Sequence, residues 1–191
     1  MRVLYFFDII ADFIFIFGGK MELFLQDDTL ITSKTDTSGR LLYGNEDFCH
    51  FGGFKDEKEF INKPHNIIRH PSMPEVAFKL LWDTVKSGEE FFAFVCNRPV
   101  KTNDLYWVFA NITPSYDTNG KICGYYSVRR QASKAGVETL SMIYKKCLDI
   151  ETTSGMQAAQ DYIIGFLKER KQTWNELMVS LQEQGKVGGY R

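Results

Sequence analysis

The chemistry-bearing residues of this chain gather in one short stretch, Pro64-His65-Asn66-Ile67-Ile68-Arg69-His70-Pro71-Ser72-Met73-Pro74, which holds two of its three histidines. Its prolines cannot donate to a helix and push Lys63, His70 and Met73 away from α backbone, so the stretch reads as stiff and mostly non-helical. An arginine on such a support offers a fixed fork of donors to a carbonyl or a phosphate. Two carboxamides join it from regions of period two. Asn97 shares a strand face with Phe91, Ala93 and Val95, and Asn111 shares one with Trp107, Phe109 and Thr113. A carboxamide buried among apolar neighbours costs about 1 to 3 kcal/mol if unpaired, so either the protein or a ligand must satisfy it.

Catalysis has little support in these residues. His50, His65 and His70 have no Ser or Cys partner at a recognisable spacing, and neither paired carboxylates nor a Gly-rich phosphate loop occurs. A histidine ligating haem iron is one alternative. A histidine before proline in a stiff turn acting as a hydrogen-bonding scaffold is the other. Cys49, Cys96, Cys123 and Cys147 are widely separated, which suggests neither a zinc site nor a disulfide framework. A net charge of -1 argues against nucleic-acid binding.

These groups need elements to position them. Thr29 to Asp36 and Arg40 to Tyr43 read as two strands around Thr37-Ser38-Gly39. Short helices are expected over Glu46 to Phe51 and Asp56 to Ile61. Ser72-Met73-Pro74-Glu75 has the form of a capping box ahead of a helix carrying Val76, Ala77, Leu80, Leu81 and Val85, with Phe78 and Trp82 stacked at i, i+4, and Gly88 ends it. Strands follow from Phe91 to Asn97, Leu105 to Tyr116 and Lys121 to Arg130, the last two joined by the hairpin signal Asp117-Thr118-Asn119-Gly120. The expected class is α+β: a five-stranded antiparallel sheet with short helices on one face.

Residues 29–130 thus form the expected main domain, residues 137–184 a helical hairpin broken at Thr152 to Gly155, and residues 185–191 a loose tail. The first 28 residues are an extension. Asp8 and Asp12 argue against a membrane span, because a central aspartate costs about 2.5 to 3.5 kcal/mol on insertion scales and the apolar run is shorter than ~20 residues. An amphipathic packing helix and a start of translation at Met21 are both open for that segment.

The order ββ-helices-βββ, with the Pro64 to Pro74 stretch, Gly88-Glu89, Asn97-Arg98, Tyr106-Trp107-Val108 and Gly124 to Arg129, resembles the PAS domain of aerotaxis receptors. The resemblance covers about Thr29 to Arg130. It implies a PAS fold, non-covalently bound FAD and output to chemotaxis signalling. It also implies cofactor-binding roles for Asn45, Arg69, His70, Trp82, Asn97 and Asn111, and no enzymatic or metal site. The chain departs from the family at Ser72, where aspartate is usual, and in a spacing from Asn45 to Pro64 one residue longer. Its layout is similar to the separate PAS protein of a bipartite energy-taxis system. That similarity implies a cytoplasmic sensor, associated with a membrane through a partner receptor or another signalling protein. A homodimer, a cofactor-free PAS adaptor and a haem-binding PAS sensor are the alternatives. The Phe166, Trp174 and Leu177 face is the candidate docking surface, with packing onto the sheet as its rival.

Overall fold

The computed structural model describes residues 22–102 and 104–184. The expectations about Met1 to Phe17, the start at Met21 and the tail after residue 184 lie outside them. The chain runs β1 (Ile31–Thr35), β2 (Leu41–Gly44), α1 (Glu46–Gly52), α2 (Glu75–Lys86), β3 (Phe91–Asn97), β4 (Tyr106–Tyr116), β5 (Ile122–Gln131), α3 (Lys134–Arg170) and α4 (Trp174–Gln184). The strands form one antiparallel sheet in the order β2-β1-β5-β4-β3, so the fold is the expected α+β one. Gly120, at φ 75, supplies the left-handed residue of the β4-β5 hairpin.

Strand parity sorts the sheet into two faces. Ser33, Thr35, Val95, Asn97, Ala110, Tyr125, Ser127 and Arg129 face the α1-α2 side, where they line a common cavity. Phe94, Cys96 and Phe109 pack instead with Leu140, Ile143, Leu177 and Met178 of α3 and α4. Trp174 stacks on Phe91 with ring centroids 5.8 Å apart, and Leu177 is buried. For these two residues packing onto the sheet holds, rather than a free docking face.

Edge strand β3 is sealed by groups from three elements. Phe92 N–H donates to Asn175 Oδ1 (3.0 Å), and Phe92 O accepts from Trp174 Nε1 (2.7 Å). Phe94 O accepts from the Tyr144 hydroxyl (2.9 Å), Cys96 N–H lies on Met73 Sδ (3.3 Å), and Cys96 O accepts from His70 N–H (3.3 Å). An open row of such groups would invite pairing with another chain.

Three local expectations change. His65–Ile68 forms a 3-10 turn inside the Pro64 to Pro74 stretch; Pro64 sits at its N-cap with φ -65, a position where a missing N–H costs nothing. Ser72 does not cap α2, because Pro74 occupies the N-cap and Ser72 Oγ bonds His70 Nδ1 (2.7 Å). The carboxylate of Glu151 on α3 takes the cap's place, accepting from Glu75 N–H (3.1 Å) and Val76 N–H (2.7 Å). The C-terminal helices are present and kink at Gly155 (φ 84, ψ 173), but the second is divided again at Lys171 (φ 53).

Candidate functional site

A cavity of about 250 Å³ lies between the inner sheet face, the His65 turn and α2. Its apolar walls come from Phe78, Leu81 and Trp82 on α2 and from Val95, Ala110, Ile112 and Tyr125 on the sheet. Helical spacing puts Phe78 and Trp82 one turn apart on a single face, so the pair enters the cavity together. Trp82 meets Tyr125 edge-on at 5.4 Å. Gly39, at φ +81, brings bare backbone against the indole; a Cβ there would lie 3.1 Å from Trp82 ring atoms.

The polar floor is more unusual. Arg129 is 4% exposed and lies on β5, the centre of the sheet. Its Nη2 donates to Ser33 Oγ (2.8 Å) and faces His65 Nε2 at 2.6 Å. Nη1 finds no partner among the described residues, and neither does Asn97 Nδ2 or Ser127 Oγ. All three residues line the cavity, and no Asp or Glu does among the described residues. Burial pulls the Arg129 pKa down to about 10, which leaves it charged at neutral pH. Burial first, and then the neighbouring guanidinium, lowers His65 to about 3, so the imidazole is neutral and its Nε2 is an acceptor.

Of the residues that the family resemblance named, the cavity brings Arg69, Trp82 and Asn97 together. Arg69 lies over the Phe78 ring at 4.2 Å and donates to Met73 O (2.6 Å). The other three stand outside the cavity wall. Asn45 caps α1: its Oδ1 accepts from Phe48 N–H and Thr32 N–H, both at 3.0 Å, while its Nδ2 donates to Leu30 O (2.7 Å). His70 is buried against Ser72. Asn111 lies on the opposite face of the sheet and donates to Glu90 (3.0 Å).

Ser33, Ser127 and Arg129 were not singled out from the sequence. Their signal was parity: Tyr125, Ser127 and Arg129 alternate on the β5 face that pairs with Ile31, Ser33 and Thr35. An arginine on an inward strand position is the mark that could have been read.

Residues 41–129 match the family model described as PAS fold. Among solved structures, the dark state of the blue-light photoreceptor Aureochrome1 LOV superposes with a TM-score of 0.50 at 14% identity, covering 63% of this chain and 86% of that one. A light-oxygen-voltage domain studied with a flavin analogue gives 0.50 at 16%, covering 58% and 82%. At such identities the likeness carries the fold alone. In sequence, 121 residues are 39% identical to the aerotaxis receptor of Escherichia coli (strain K12), a match over 63% of this chain and 23% of that receptor. Residues 41–129 thus form a PAS-fold domain, followed by C-terminal helices, and the chain is similar to part of an aerotaxis receptor.

Proposed function

We propose that this chain is a cytoplasmic redox sensor that holds the ring system of FAD in the cavity and signals to a separate chemotaxis receptor. The observation that carries the reading is the set of three inward polar atoms, Asn97 Nδ2, Ser127 Oγ and Arg129 Nη1, which find no partner among the described residues. Buried polar groups are ordinarily paired, and these share one apolar-walled cavity. A planar heteroaromatic ring with carbonyl and ring-nitrogen acceptors along one edge suits donors on the floor and aromatic faces at Trp82 and Phe78. At about 250 Å³ the cavity falls below the roughly 300–1,000 Å³ of clefts that take whole drug-sized ligands. It would therefore hold the ring head and leave the remainder of a dinucleotide at its mouth.

A bound flavin supplies reversible electron uptake. Arg129, without a carboxylate beside it, would hold the negative charge that an electron brings, while Asn97 and Ser127 orient the ring edge. Haem fits less well, since iron at His65 Nε2 would face a guanidinium 2.6 Å away. The Ser72 departure leaves this arrangement untouched, because Ser72 bonds His70 outside the wall. The similarity to an aerotaxis receptor supports output to chemotaxis signalling.

The test is the absorption spectrum of freshly purified chain, repeated after incubation with FAD and gel filtration. Flavin bands that co-elute with the protein are the expected result. A protein that remains colourless after reconstitution overturns the reading.

A further inference from the structure

The cavity wall and the C-terminal helices share an apolar cluster, with Val76 and Ala77 beside Leu140 and Cys147, and one polar joint at a carboxylate. Helix α2 has no cap of its own, and its first two amides donate to the two oxygens of Glu151, which lies 76 and 75 residues further along the chain. The same helix presents Leu81 and Trp82 to the cavity. Arg69 stands at the corner between them. It lines the cavity and lies over Phe78 on α2; burial lowers its pKa, and the nearby carboxylates of Glu75 and Glu151 oppose that shift.

Beyond Glu151 the helix does not run on evenly. Gly155, at φ 84 and ψ 173, breaks α3 four residues later, and nothing lies within 4 Å of the place a Cβ would take. That backbone region is open essentially to glycine alone. The first arm of α3 thus ends close to its contact with α2, next to a swivel with room around it.

We propose that Glu151 is the positioning residue through which the occupant of the cavity acts on the C-terminal helices. This rests on the reading of the cavity as a ligand site. A ligand that moves Trp82 and Phe78 moves α2 as a rigid rod, because its backbone bonds are internal. The amides of Glu75 and Val76 travel with it. A carboxylate bonded to both must follow, carrying the first arm of α3 about Gly155, or lose charge-assisted bonds at a partly exposed corner. The two ligand states then differ in how well the α2-α3 corner closes, and that difference is what couples two sites.

Hydrogen exchange followed residue by residue on the full chain, with and without FAD, tests this. In the wild type FAD should slow exchange in α2 and also in residues 134–154, with coupling of the usual size, roughly 5- to 150-fold. In Glu151→Gln, FAD should still bind and still slow α2, while its effect on 134–154 disappears. Protection of 134–154 that persists in the variant, or that never appears in the wild type, overturns the proposal. Should FAD fail to bind, the cavity reading fails instead, and the unliganded protein decides the joint. There Glu151→Gln must speed exchange at Glu75 and Val76 together with residues 134–154. Faster exchange confined to the two amides overturns it.

Discussion

Arg129 Nη2 lies 2.6 Å from His65 Nε2, a permanent cation against a titratable ring with no carboxylate between them. The imidazole can accept that hydrogen bond only while neutral, and burial together with the guanidinium holds its pKa at about 3, below the ordinary 6.5. In the unfolded chain the ring binds a proton below about 6.5. Stability therefore stays at its full value above that pH and falls as the pH drops from there toward 3, at up to about 1.4 kcal/mol per pH unit. Urea unfolding at pH 7 and pH 5 should show this loss, and His65→Gln, whose amide oxygen can still accept from Arg129, should remove most of it. An equal pH dependence in both proteins would place the titration elsewhere.

A buried guanidinium without a counter-charge is a cost that the fold alone does not need. Replacing Arg129 by methionine keeps an unbranched apolar stem, and Ser33 Oγ, 3.2 Å from His65 Nε2, can still donate to the ring. The expected urea midpoint of Arg129→Met is equal to or above that of the wild type. FAD affinity should fall by at least about tenfold, corresponding to 1.4 kcal/mol or more. A variant that is less stable yet binds FAD normally would assign Arg129 to the fold rather than to the ligand.

Strands and hairpins were legible because alternation and turn chemistry are local. Phe91 to Asn97 and the Asp117 to Gly120 turn stand where period and glycine put them. Caps show where local reading ends. Ser72 and Glu75 have the capping-box spacing but no box, since Pro74 intervenes and Glu151 arrives from another helix. Thr173 and Glu176 form a true one, with Thr173 N–H donating to the Glu176 carboxylate at 2.7 Å. The site was legible in its aromatic wall, Trp82, and in Asn97. It was not legible in Arg129 and Ser33, whose meeting at 2.8 Å depends on the pairing of β1 with β5 across the sheet.

Asn175 stands in for a missing strand beside β3, accepting from Phe92 N–H at 3.0 Å and donating to Glu90 O at 2.9 Å. Truncation in Asn175→Ala leaves those edge groups without partners, which costs about 1 to 3 kcal/mol where they stay shielded from water. The freed edge is also a template for a second chain. Sedimentation velocity should show concentration-dependent association of this variant, with the wild type as reference. Unchanged sedimentation together with unchanged stability would mean that Trp174 and the other groups along β3 seal the edge without Asn175.

Gly39 and Trp82 make the last prediction, since one shapes the place of the other. At φ +81 an L side chain is strained, and a Cβ would sit 3.1 Å from the indole edge. Gly39→Ala therefore meets a backbone cost and a side-chain one, together about 1 to 3 kcal/mol of stability. A shift of the indole along the wall toward Tyr125, which it already meets edge-on at 5.4 Å, would relieve the contact. That shift narrows the space beside the cavity floor. Calorimetry should show FAD binding weakened by more than the stability loss alone explains, and Trp82→Phe, with a smaller ring, should restore part of it in the double variant. Binding that tracks stability alone would show that the indole edge does not touch the ligand.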